Sequence, residues 1–165
     1  MSTSIGTTCV EEVMNSVAFK VGPKDKIAAV AKLFEKHDVN AAPVVNQSDV
    51  CIGIITSHDV VEYESSRIEM EKHLQKGLGF EMAHYGDGRP PILRVPIDEV
   101  GVQMTSQVKS VEPHAPLSVA ARMMCHEHIH HVVILDEDKH PVGILSALDV
   151  LSHVLGEPIA RHGKK

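Results

Sequence analysis

Residues 14–61 fall on residues 104–151 without a gap when the chain is slid along itself by 90 positions, and no other feature limits the possible folds as much. In that register Met14 meets Met104, Val21 meets Val111, Pro23 meets Pro113, Ala31 meets Ala121, Gly53 meets Gly143, and Asp59-Val60 meets Asp149-Val150. Identity is sparse, but hydrophobic character agrees throughout, so one structural unit is used twice. A chain of 165 residues is long enough for two such units to form one compact body.

Each unit spells the same elements. Val17 to Val21 reads as a short strand closed by Gly22-Pro23, after which Ile27, Val30, Ala31 and Phe34 recur at the spacing of one helix face. Asp25 is placed to cap that helix. In the second unit Leu117, Ala120, Ala121 and Met124 repeat the template, and Pro116 takes the first helical position, where a missing N–H is harmless. Two apolar runs follow in each unit, Ala42–Val45 with Ile52–Ile55 and Val132–Leu135 with Val142–Leu145, separated by polar turn formers that predict hairpins. A further helix begins at Thr56 or Ser146, with Val60 and Val61, or Val150, Leu151 and Val154, as its buried positions.

The unit is therefore β-α-β-β-α, and three strands with two amphipathic helices leave hydrophobic surface that a second unit can cover. The expected class is α+β, two repeats packed as a pseudo-twofold pair. The first repeat with a charged helical extension spans residues 8–76, a Gly/Pro-rich linker 77–99, the second repeat 100–156 and a basic tail 157–165. In the extension Arg67 and Glu71 stand at i, i+4 and can pair. The linker carries Gly77, Gly79, Gly86, Gly88 and Pro90-Pro91, then an apolar segment, Ile92 to Ile97, able to dock on a repeat.

Composition removes several functions. Aromatic residues are 3% of the chain, with no Trp, and the formal charge is −6, so neither stacking platforms nor a basic face for nucleic acid is expected. Cys9, Cys51 and Cys125 are odd in number and lack metal-type spacing, which fits a reducing compartment; Cys51 and Cys125 are expected as small core residues, as are Met14, Met104, Met123 and Met124. No basic leader and no bilayer-length apolar run is present, and the expected location is cytoplasmic, without membrane contact.

The sharpest local pattern is Gly53-Ile54-Ile55-Thr56-Ser57-His58-Asp59, answered in register by Gly143-Ile144-Leu145-Ser146-Ala147-Leu148-Asp149. At a strand-to-helix junction the hydroxyl and the acid three residues on form a capping box. The same carboxylate can also accept hydrogen bonds from both hydroxyls of a ribose, while the helix N-terminus attracts phosphate. The two roles can coexist, and their repetition favours a ligand.

On these endings, the duplication and the β-α-β-β-α order, residues 8–156 resemble the CBS domain family, whose paired repeats form a Bateman module. The resemblance implies a non-catalytic regulatory module that binds AMP, ADP, ATP or S-adenosylmethionine between its repeats and signals to a separate partner protein, often as a homodimer. It implies ribose contacts by Asp59 with Thr56 and by Asp149 with Ser146, and adenine packed by strand residues that include Ala42, Pro43, Val132 and Val133. Ile129-His130-His131-Val132-Val133-Ile134-Leu135-Asp136 is similar to the Ile-His-Arg-Leu-Pro-Val-Ile-Asp stretch of nucleotide-sensing members, which puts His130 and His131 near phosphate. The first repeat has Asn40 and Ala41 there, so two unequal clefts are expected, the second better furnished.

Two other readings compete: an interaction module with vestigial clefts, and a metal-binding protein using its histidines. His126 and His130 are spaced for one helix face, but the register puts a helix end near His128, which separates them. No phosphate loop, nucleophile elbow or metalloprotease motif supports an enzyme, and no resident cofactor is expected.

Overall fold

A computed structural model describes residues 5–76 and 97–157. Residues 77–96 of the linker, with all but Ile97 of the apolar segment expected to dock, and the tail from residue 158 onward lie outside them. The first repeat contains β1 (Asn15–Ser16), α1 (Ile27–His37), β2 (Ala41–Val45), β3 (Cys51–Thr56) and α2 (Ser57–Lys76). After a short α3 (Val100–Gln103), the second contains β4 (Ser110–Val111), α4 (Leu117–Glu127), β5 (His131–Leu135), β6 (Pro141–Ser146) and α5 (Ala147–Leu155). None of the described helices is long and apolar enough to cross a membrane.

The duplication extends to backbone detail. Both hairpins are antiparallel and carry an irregularity at equivalent places, Val44/Val45 and Ile134/Leu135. Their turns use one device: Asn46 Oδ1 accepts from the backbone N–H groups of Ser48 and Val50, and Asp136 Oδ1 from those of Asp138 and His140. Equivalent helices α1 and α4 end on left-handed residues, Asp38 at φ 53° and His128 at φ 54°. His128 thereby turns the chain out of α4 and separates His126 from His130.

The strands do not stay within their repeats. One sheet has the order β1-β6-β5-β4 and the other pairs only β2 with β3, so the first repeat lends β1 to the second. Asn15 pairs with Ile144, and at the equivalent position Thr105 bridges Ile54. The strand expected over Val17–Val21 shrinks to a single parallel bridge between Val21 and Val44.

Hydrophobic packing completes the exchange. Val10 lies in the core of the second repeat with Leu117, Val132, Ile134 and Leu145, and Ile5, Val13 and Met14 pack against it. Val100 lies in the core of the first with Ile27, Val30, Val44 and Ile55, and Met104 packs against it. Val10 and Val100 are both fully buried, each worth about 1.5–3 kcal/mol to the repeat it joins. Each repeat is thus completed by the segment that precedes the other.

This crossing alters several local expectations. Lys26 occupies the N-cap position of α1, not Asp25, and the Ile27 N–H donates to Asp98 Oδ1 at 3.1 Å, 71 residues along the chain. Asp25 instead accepts from the Gly22 N–H at 2.8 Å, holding the turn before the helix. Pro116 is the N-cap of α4 and not its first residue. Arg67 does pair with Glu71, at 2.5 Å, and also with Glu64. Cys125 is exposed and not in the core, since α4 buries only the Leu117, Ala120 and Met124 face. Val61, Leu151 and Val154, expected to be buried, are more than half exposed, because α2 and α5 lie outermost with one narrow face inward.

Candidate functional site

The two strand-to-helix junctions fold alike. At the first, the backbone N–H and the hydroxyl of Thr56 both donate to Asp59 Oδ2 at 2.7 Å. At the second, the Ser146 N–H and hydroxyl donate to Asp149 Oδ2 at 2.7 and 2.5 Å, and the Asp149 N–H returns to Ser146 Oγ at 3.1 Å. The second junction is therefore a complete capping box and the first shows its carboxylate half, and both carboxylates are fixed at the start of a helix.

Beyond the caps the junctions differ. Asn15 Nδ2 donates to Asp149 Oδ1 at 2.8 Å, so the borrowed strand β1 holds the second carboxylate from across the repeats. Asp149 is 8% exposed, whereas Asp59 is half-buried. The 90-residue register answers Asn15 with Thr105, which has no amide to offer.

Asp149 and Ser146 open onto a cleft of about 840 Å3, which also takes in Asn15, Phe19, His37, Asn40 and Ala41 from the first repeat and His130, His131 and Leu148 from the second. That volume lies within the range of about 300–1,000 Å3 usual for small-molecule sites. Across the cleft His131 Nε2 lies 2.9 Å from Asn40 Oδ1, so the strand openings of the two repeats are tied together. Burial holds the His131 imidazole below its ordinary value of 6.5, helped by neighbouring His130 and opposed by Asp149. At neutral pH His131 is uncharged, and an anion beside it would draw a proton onto it.

Of the residues expected in a site, the fold brings Ser146, Asp149, His130 and His131 into this one cleft. Thr56 and Asp59 stand at the other junction, outside its lining. Ala42 and Val132 point into the cores of their own repeats, 1% and 0% exposed, and Pro43 and Val133 are buried without lining it. Sequence reasoning missed Asn15, Phe19 and His37; Asn40 and Ala41 were detectable as the register partners of His130 and His131. Among the described residues no three His, Cys, Asp or Glu side chains gather in a group that could hold a metal. The cleft offers a fixed carboxylate, a helix N-terminus, imidazoles and an aromatic face, a set suited to holding a polar ligand with an apolar end.

Known proteins share this architecture. The CBS domain model matches residues 10–66 and 97–156. The CBS domain pair of protein MJ0100, in complex with 5'-methylthioadenosine and S-adenosyl-L-methionine, superposes with a TM-score of 0.66 at 22% identity, over 91% of this chain and 97% of that one. CBSX2 in complex with AMP gives 0.65 at 21% identity, over 90% and 96%. The 5'-AMP-activated protein kinase subunit gamma-3 of Sus scrofa is 23% identical over 132 residues, 80% of this chain but 22% of its own. The chain thus spans about a fifth of that relative. Matched over both repeats, and built as two β-α-β-β-α units that complete each other, the chain belongs to the CBS domain family.

Proposed function

We propose that the chain is a non-catalytic regulatory module that binds an adenosine nucleotide, AMP, ADP, ATP or S-adenosylmethionine, in the cleft of Ser146, Asp149, His130 and His131, and that occupancy is read by a partner protein. The observation that carries this is convergence: a carboxylate fixed by Ser146 and Asn15 shares one cleft with two imidazoles and a helix N-terminus. Asp149 would accept from ribose hydroxyls, and the α5 N-terminus with His130 and His131 would face phosphate. The cleft takes side chains from both repeats, so a ligand with unequal affinity for two arrangements of the repeats shifts their populations. Adenosine compounds bound to the MJ0100 pair and AMP bound to CBSX2 support the ligand class.

Calorimetric titration with AMP, ATP and S-adenosylmethionine tests the reading; at least one should bind in the micromolar range, and the absence of heat and of thermal stabilisation with all three would refute it. AMP affinity should also rise as pH falls from about 7.5 toward 6.5. The folded pKa of His131 lies below its unfolded value near 6.5, and bound phosphate raises it, so binding takes up a proton and acid favours the complex. Adenosine, which lacks phosphate, should show a flat profile over the same range. In the free protein the sign reverses: the unfolded chain protonates first, so the stability held above about pH 6.5 declines below it.

We further propose a homodimer through the outer helices. Leu148, Leu151, Val154 and Leu155 on α5, and Val61 at the register partner of Leu151 on α2, are each more than half exposed, apolar helix surface of the kind that twofold association buries. Val154→Glu should convert a dimer to a monomer in sedimentation velocity, and an unchanged sedimentation coefficient would exclude this face. A cytoplasmic setting suits three unpaired cysteines.

A further inference from the structure

We infer that Phe19 is the surface on which the adenine base stacks, and that it makes this cleft the nucleotide site in preference to its pseudo-equivalent; the inference rests on the nucleotide reading above. Phe19 is half-buried and lines the cleft. Its ring packs against buried Phe34, with centroids 6.0 Å apart at a tilt of 44°, and against His37, which also lines the cleft, at 5.1 Å and 42°. A ring braced in this way offers a flat apolar face at little entropic cost. The strand residues Ala42 and Val132 cannot serve, because they are sealed in the two cores.

Position agrees with chemistry. Phe19 follows Asn15 by four residues, at most about 14 Å of extended chain, and Asn15 holds Asp149. The ring and the carboxylate proposed for ribose thus line one cleft, with the imidazoles of His130 and His131 left for the phosphate end. Base, sugar and phosphate each meet matching groups in one cleft.

The 90-residue register shows what the other side has instead. Phe19 is answered by Lys109 and His37 by Glu127, and Lys109 Nζ and Glu127 Oε2 form an ion pair at 2.8 Å. Lying adenine over that pair would strip water from two charges without a compensating hydrogen bond. Among the described residues the aromatic platform stands on one side only, so one nucleotide per chain is expected.

The test is calorimetry with AMP and with ribose 5-phosphate, which lacks the base, on wild type and on Phe19→Leu, Phe19→Tyr and Lys109→Ala, each first shown to melt cooperatively. Removing a base-stacking ring weakens binding by about 5- to 140-fold. Phe19→Leu should lose that much AMP affinity and no ribose 5-phosphate affinity, Phe19→Tyr should restore AMP binding, Lys109→Ala should match wild type, and wild type should bind one AMP per chain. AMP affinity within twofold of wild type in Phe19→Leu, a parallel loss for both ligands, or two equal AMP sites would each overturn the inference while leaving nucleotide binding intact. Wild type that binds no AMP, ATP or S-adenosylmethionine would remove the nucleotide reading itself, and this inference with it.

Discussion

Asp149→Ala is expected to weaken AMP binding by roughly 10- to 150-fold while costing the fold about 0.5–2 kcal/mol, the ordinary price of a lost helix cap. The two effects come from the two carboxylate oxygens. Oδ2 accepts from the Ser146 N–H and hydroxyl and holds the N-terminus of α5, while Oδ1 accepts from Asn15, and the residue lines the cleft. Hydrogen bonds to a charged acceptor contribute about 1.5–3 kcal/mol, which sets the affinity range at tenfold per 1.4 kcal/mol. Asp59→Ala removes the equivalent cap without touching this cleft, so it should lower stability and change AMP affinity little. Calorimetry with thermal melts separates the roles. An Asp149→Ala protein that melts lower but binds AMP as tightly as wild type would make Asp149 a capping residue only.

Gly143→Ala is expected to destabilise the protein by about 1–3 kcal/mol, the usual range for overpacking, although alanine suits the extended backbone there. A Cβ on Gly143 would overlap Met14 Sδ and come within 3.1 Å of the Asn15 carbonyl, both on the segment lent by the first repeat. Gly53 is in the same position against Met104 Sδ and the Thr105 carbonyl, at 3.2 Å from the latter. These glycines admit the exchanged strands. Met14→Ala should restore part of the stability lost in Gly143→Ala, since it frees the thioether's space while the carbonyl remains close. Denaturant unfolding of wild type, both single variants and the pair measures that coupling. Strict additivity would show that the Gly143–Met14 contact does not govern the exchange.

The two glycines also show where sequence reasoning stopped. Their repetition at Gly53 and Gly143 was plain, and so was their place at the end of each hairpin. Their reason was not, because the atom that excludes a side chain belongs to a methionine more than a hundred residues away in one case and fifty in the other. Asp25 illustrates the same limit: its spacing from Ile27 matched a cap, but Asp98 supplies the carboxylate to the Ile27 N–H. The outward Val61, Leu151 and Val154 were assigned to the core because periodicity marks an apolar face without saying what covers it.

The sequence spells out the repeated β-α-β-β-α unit, its hairpins and the two hydroxyl-x-x-Asp caps, since these depend on hydrogen bonds and side-chain periodicities within a few residues of one another. It also placed His130 and His131 beside a strand opening and predicted that the two sides would differ. Long-range packing sets the rest: each repeat is completed by the segment preceding the other, Asn15 reaches Asp149 across 134 residues, Asn40 meets His131 across 91, and Phe19 lines the cleft. The physical reason is one of range. Local order follows from which faces are apolar and which backbone groups lack partners, whereas the cleft exists only where the two interwoven repeats meet, and their complementarity leaves no mark at any fixed spacing along the chain.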